Sequence, residues 1–150
     1  MISISNKKGF SLIELLIVIT IIGILSTIIL NSLSVSRARA YDSKIKQQLT
    51  SFRTAAEVYF LNQTPNNYGY NANCDTTSSI FTDTIPANGS PRNFINPQNL
   101  PNNPTVICQT STDGLSYAVK VPLYSSGYWC VDSKGASMAT NNGNQTTICQ

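Results

Sequence analysis

From Leu15 to Ser36 the chain carries no charged residue. As a helix such a span is long enough to cross a hydrocarbon core of about 30 Å, and it reads as a membrane segment. One acid, Glu14, stands at its start within KKGFSLIELLIVITIIGIL, residues 7 to 25. Placing an ionised carboxylate in a bilayer costs about 2.5 to 3.5 kcal/mol on insertion scales. An acid near a helix start recovers only about 0.3 to 1 kcal/mol from the macrodipole. Glu14 therefore needs a partner charge.

At 150 residues the chain has room for one domain with a real core. Charged residues make up 11% and His is absent, which removes the commonest general base and metal ligand. With no Gly-rich phosphate loop and no triad-like arrangement, the sequence reads as a non-enzyme with no cofactor and no metal site. The formal net charge is +3. It falls to near neutral once Lys7 and Lys8, which precede the apolar run, are set aside, so there is no footprint for nucleic acid.

Past the apolar run, Ala38, Tyr41, Ile45, Leu49, Phe52, Ala56 and Tyr59 recur at steps of three and four, the stripe of an amphipathic helix. Asp42 and Lys46 fall at i, i+4 and read as an exposed ion pair on the other face. With no Pro before Pro65, one helix is expected from about Phe10 to about Leu61. Tyr41, Phe52, Tyr59 and Phe60 at this spacing read as packing residues rather than as a path for electrons.

Between Asn62 and Pro104 lie eleven Asn and six of the seven Pro. Such a stretch reads as a long surface loop, with a short helix near Asp75 to Thr82. After Pro104 the period becomes two: TVICQ, then Leu115, Tyr117, Val119 and Val121 alternating with Ser116, Ala118 and Lys120, then YWCVD. Three strands in an antiparallel meander follow, one face packed on the amphipathic half of the helix. The fold class is α+β.

Cys74, Cys108, Cys130 and Cys149 all lie in the second half, and none forms a CxxC motif. An even, spread set beyond an export-like N-terminus reads as two disulfides in an oxidising compartment. Cys108 and Cys130 sit on strands separated by the middle one, too far apart to bridge. Pairing Cys74 with Cys108 and Cys130 with Cys149 is preferred, ahead of Cys74 with Cys130 and Cys108 with Cys149.

Other readings of the N-terminus fit less well. Ala38-Arg39-Ala40 has the A-x-A form of a secretory cleavage site, but the apolar run far exceeds an ordinary signal core of about 7 to 15 residues. A plain signal anchor fits the span and leaves Glu14 unexplained. Lys7-Lys8-Gly9-Phe10-Ser11-Leu12-Ile13-Glu14-Leu15 resembles the processing site of type IV prepilins and pseudopilins. The resemblance implies a pilin-like fold and cleavage after Gly9 by a prepilin peptidase. It also implies N-methylation of Phe10 and pairing of Glu14 with the terminal amine of a neighbouring subunit during assembly.

That division gives a leader at 1–9, a transmembrane and filament-core segment at 10–36, and the amphipathic helix half with an extracellular head at 37–150. The implied partners are further copies of the subunit, the membrane, the peptidase, and a cytoplasmic ATPase with its membrane platform. The precursor would sit in the inner membrane and the assembled filament outside it. A pseudopilin of a secretion or competence system and a membrane-anchored binding domain are the alternatives. Two departures from the family pattern stand out. Leu30-Asn31-Ser32 lacks the proline common there, although Gly23 matches a family glycine. Arg37, Arg39, Lys44, Lys46 and Arg53 outnumber Lys7 and Lys8, against the positive-inside rule. Sequons at Asn62, Asn88 and Asn144 are weak signals, and NNGNQTTIC with Asp132 is a poorly supplied calcium site.

Overall fold

A computed structural model describes residues 9–82 and 90–150. Lys7 and Lys8 of the leader, Asp83 and the sequon at Asn88 lie outside the described residues. The elements are helix α1 (Leu12–Asn62), a short helix α2 (Arg92–Ile95), a 3-10 turn (Pro97–Asn99), and strands β1 (Ile107–Thr110), β2 (Tyr117–Pro122), β3 (Tyr128–Asp132) and β4 (Ser137–Thr140). The chain divides after Arg37 into two units.

In the first unit every side chain described from Phe10 to Ile29 is exposed, so this stretch of α1 has no protein core of its own. Its small polar residues bond to their own helix. Thr20 donates to the Ile17 carbonyl at 2.7 Å, Ser26 to Ile22 at 2.7 Å and Thr27 to Ile24 at 2.8 Å. A hydroxyl satisfied in this way adds little cost in a medium that offers no water. The helix passes unbroken through Leu30, Asn31 and Ser32.

The second unit is built around the apolar stripe of α1. Ile45, Leu49, Phe52, Ala56 and Tyr59 are buried together with Tyr117, Val119, Val121 and Val131 of the sheet. Tyr41, at the end of the stripe, stays 37% exposed. Phe52 meets Tyr117 edge-on at 5.6 Å between ring centres, and Tyr117 meets Tyr68 at 4.7 Å. Burial of a side chain of this size is worth about 1.5 to 3 kcal/mol, so each of these rings contributes a large share of the marginal stability of a domain.

The sheet has four strands in the order β1-β2-β3-β4, all antiparallel. The fourth strand was not expected. Ser137–Thr140 has neither β-branched nor aromatic residues before Thr140, and it is drawn in by pairing with β3, Val131 opposite Ser137 and Cys130 opposite Met138. Alternation along β2 puts Ala118 and Lys120 on the face away from the helix-packing residues, and both are buried, at 1% exposure each. The C-terminal segment covers that second face. It is held there by the Cys130–Cys149 disulfide, by the Asp132 carboxylate accepting from the Cys149 N–H at 2.9 Å, and by Lys120 Nζ donating to the Asn144 carbonyl at 2.9 Å.

The described residues of the 62–104 stretch do not form a mere surface loop either. Tyr68, Ala72, Ile80, Phe81, Ile95 and Leu100 are buried in the same core. Residues 75–82 form turns rather than a helix, and the short helical pieces fall later, at α2 and Pro97–Asn99. Asn71 and Ala72 pair with the outer edge of β1: the Thr110 N–H donates to the Ala72 carbonyl at 2.8 Å and the Asn71 N–H to the Ser111 carbonyl at 2.9 Å. This edge would otherwise present open donors and acceptors. The Cys74–Cys108 disulfide ties the same loop to β1. Gly69 permits the close approach, since its φ is +106° and a Cβ there would stand 2.7 Å from that of Ser79.

Candidate assembly site

Gly9 and Phe10 precede α1 and are fully open to solvent, Phe10 being 82% exposed. The Leu15 N–H donates to the Ser11 carbonyl at 3.2 Å, the first bond of the helix. Ser11 therefore stands at the N-cap and Glu14 at the third helical position. The Ser11 N–H donates to Glu14 Oε2 at 2.9 Å. This is one half of a capping box, and the S-x-x-E spacing that encodes it was present in the sequence.

The carboxylate is thus folded back toward the helix start, where the exposed N–H groups and the macrodipole favour negative charge. Phe10 is the residue immediately before Ser11. An amine created at Phe10 by cleavage after Gly9 would lie at the same end of the helix as this carboxylate. One backbone donor leaves most of the acceptor capacity of Glu14 free, because a carboxylate offers about four lone-pair sites.

The remaining charged groups are arranged differently from the sequence reading. Asp42 does not pair with Lys46. It is 7% exposed and accepts from the Tyr124 N–H at 2.6 Å, the Ser125 N–H at 3.3 Å and the Ser125 hydroxyl at 2.6 Å. Lys46 Nζ lies 4.5 Å from the centre of the Trp129 ring. The β2–β3 turn therefore reaches the helix and takes its acid. Arg53 likewise donates to the Gly135 carbonyl at 2.9 Å and fixes the β3–β4 turn.

Three titratable groups in the head are displaced from their ordinary behaviour. Burial, with the Glu57 carboxylate accepting from the Tyr68 hydroxyl at 2.9 Å, pushes Tyr68 up. Burial, with Glu57 nearby, pushes Tyr117 up as well. Burial pushes Lys120 down. None of the three is placed for catalysis: the rings pack the core and the ammonium holds the C-terminal segment.

Asp132, the one carboxylate near NNGNQTTIC, accepts from the Lys134, Ala136 and Cys149 N–H groups, so its oxygens are turned to backbone donors. Among the described residues no cluster of His, Cys, Asp and Glu could hold a metal ion. Ala38-Arg39-Ala40 lies inside α1. Asn62 closes α1, and the Asn144 carbonyl receives Lys120.

Residues 4–30 match the model of the prokaryotic N-terminal methylation motif. Over 83 residues, 55% of this chain, the sequence is 40% identical to the type IV wide pilus major component PilA4 of Thermus thermophilus. The chain carries a prokaryotic N-terminal methylation motif. The match spans 60% of that relative's length. No solved structure matches the chain. The matched motif contains Gly9, Phe10 and Glu14, and the long helix precedes a small antiparallel sheet stapled by two disulfides.

Proposed function

We propose that this chain is a structural subunit of a type IV pilus, made as a membrane-held precursor and polymerised through the apolar part of α1. The observation that carries this reading is the conjunction at the start of α1. A methylation motif covers an exposed, largely apolar stretch of helix whose single acid, Glu14, accepts from the Ser11 N–H at the helix start. A fully apolar exposed helix must be covered by lipid or by other subunits, and the proposal uses both in turn.

Cleavage after Gly9 turns the Phe10 nitrogen from an amide into an amine. N-methylation leaves it basic, so it remains cationic near neutral pH. Glu14 then supplies the opposite charge, either from its own chain or from a neighbour. Inside a packed bundle of apolar helices, a buried charge without its partner costs about 3 to 5 kcal/mol. A subunit entering in the wrong register leaves such a charge unpaired. This is how Glu14 would select the correct axial position.

Extraction from the bilayer needs work, which an ATPase and membrane platform would supply. The head would coat the filament, with its disulfide-bonded loops facing the medium. The similarity to the Thermus relative, a type IV wide pilus major component, favours the pilus over the pseudopilus alternative. The test is electron microscopy and immunolabelling of the sheared surface fraction from cells expressing the chain with its own assembly apparatus. Labelled filaments, lost in Glu14→Ala cells, are the expected result. Wild-type cells with the protein confined to the membrane and no labelled filament would overturn the reading.

A further inference from the structure

The C-terminal segment crosses a buried cation that has no counter-charge. Lys120 is 1% exposed, and among the described residues its one hydrogen bond runs from Nζ to the Asn144 carbonyl at 2.9 Å. Asp132 stands on the same sheet face, two residues beyond the Cys130 that lies opposite Lys120. Its Oδ1 accepts from the Lys134 and Ala136 N–H groups and its Oδ2 from the Cys149 N–H. The Gln150 oxygen accepts from the Thr140 hydroxyl. A buried charge left without its partner is costly.

Asn144 also holds the group that can supply one. Its N–H donates to Asn142 Oδ1 at 2.9 Å, so Asn142 and Lys120 are fastened to the two ends of one residue. An asparagine bonded to the N–H two residues on is curled back over its own main chain, which sets Asn142 Cγ against the Gly143 nitrogen. The same donor sits on the oxygen that gathers negative charge when that nitrogen attacks. The Gly143 N–H makes no hydrogen bond among the described residues, and no side chain shields it. Three other asparagines among the described residues form the same turn, and each lacks one of these features. Asn67 is followed by Tyr68, whose N–H is taken by the Gly114 carbonyl at 2.8 Å. Asn73 is followed by Cys74, which is tied into a disulfide, and Asn96 by Pro97, which has no N–H. Asn88-Gly89 lies outside the described residues.

We propose that Asn142-Gly143 is a site of self-catalysed deamidation that gives Lys120 its missing carboxylate. The Gly143 nitrogen forms a bond to Asn142 Cγ, the bond from Cγ to the side-chain nitrogen breaks, and the proton of the Gly143 N–H leaves with that nitrogen as ammonia. The five-membered imide then takes up water. The hydroxyl adds to one of the two imide carbonyls, the proton returns to the Gly143 nitrogen, and the ring opens. Either opening leaves one carboxylate at position 142, as aspartate or isoaspartate. A neutral tether across Lys120 thereby becomes an ion pair that pins the C-terminal segment.

The test begins with the freshly made full chain, in detergent with its disulfides intact, incubated near neutral pH in heavy-oxygen water and mapped by peptide mass spectrometry. One labelled oxygen is expected to enter at Asn142, with Asn67, Asn73 and Asn96 unlabelled. Entry should be on the order of tenfold faster than in the chain reduced and unfolded in urea, where the turn is lost. No label at Asn142, equal labelling of the other three asparagines, or entry just as fast in the unfolded chain would overturn the self-catalysed site. The counter-charge is read separately. Asn142→Asp should raise the midpoint of thermal unfolding by about 5 °C over Asn142→Gln, whose longer side chain does not close the five-membered ring. The gap should vanish when Lys120→Met is added and survive with Lys120→Arg, which keeps the cation. No gap, or one that persists beside Lys120→Met, would show that the carboxylate answers no buried cation.

Discussion

Replacing Asp42 by alanine tests whether the β2–β3 turn is latched to the helix by this one carboxylate. Two of its three bonds, from the Tyr124 N–H and the Ser125 hydroxyl, are 2.6 Å long, and the third is 3.3 Å. Hydrogen bonds to a charged acceptor contribute about 1.5 to 3 kcal/mol each. Two strong ones, discounted because they share a single carboxylate, give a loss of about 3 kcal/mol. For a folded unit of this size that corresponds to a fall in Tm of about 10 to 15 °C. The assay is thermal unfolding of the full chain in detergent with its disulfides intact, followed by Trp129 emission. Asp42→Asn, which keeps an acceptor without the charge, should lose about half as much. Lys46→Ala should cost less than 1 kcal/mol, the scale of an exposed cation over a ring. If Asp42→Ala shifted Tm by no more than Lys46→Ala, Asp42 would be an ordinary surface charge and the latch would be refuted.

Tyr117 is fully buried, and its hydroxyl has no hydrogen-bond partner among the described residues. Tyr117→Phe should therefore leave stability unchanged or raise it by about 1 kcal/mol in chemical denaturation, and a loss of that size would expose a hidden partner. Tyr68 and Tyr117 are both held above the ordinary tyrosine value of 10.0 in the fold. Their contribution is complete below that pH and is lost as pH rises above it, because the unfolded chain ionises first. The denaturation midpoint should accordingly fall above pH 10, and less steeply in Tyr117→Phe. Lys120 has the opposite sign: its folded value lies below 10.5, so it adds stability as pH rises toward that value, and Lys120→Met should remove this rising limb from the profile. Replacing Cys130 and Cys149 together by serine opens a loop with a sequence separation of 19. It should cost about 3 kcal/mol and make residues 141–150 exchange amide hydrogens faster, leaving the helix-facing core in place.

Much of the fold was legible because its signals are local. The change from an all-apolar run to a stripe at steps of three and four defined α1 to within two residues of its observed ends, Leu12 and Asn62. The alternation in YAVKV marked β2. The loop was misread because Tyr68, Ala72, Ile80, Phe81, Ile95 and Leu100 occur at no regular period among Asn and Pro. They reach the core only through contacts with distant residues. The burial of Lys120 was not legible in the sequence, because nothing in β2 announces that the C-terminal segment crosses it.

At the candidate assembly site Gly9, Phe10 and Glu14 could be picked out from the sequence, but the role of Ser11 as the N-cap was missed. Its signal was local, three residues before Glu14, and the charge of Glu14 drew the reading toward a distant partner instead. Asp42 could not have been placed from its neighbours. Its partners are 82 and 83 residues away, and the i, i+4 spacing to Lys46 pointed to a pair that tertiary contacts overrode.

The central claim is that Glu14 answers an amine created at Phe10. It is tested most directly by the intact mass and N-terminal sequence of the protein recovered from its host's surface fraction. The account predicts a chain that begins at Phe10 and is one methyl group heavier than the bare sequence. A chain retaining Met1 to Gly9, or one starting at Tyr41, would contradict it and leave the acid of α1 without its partner.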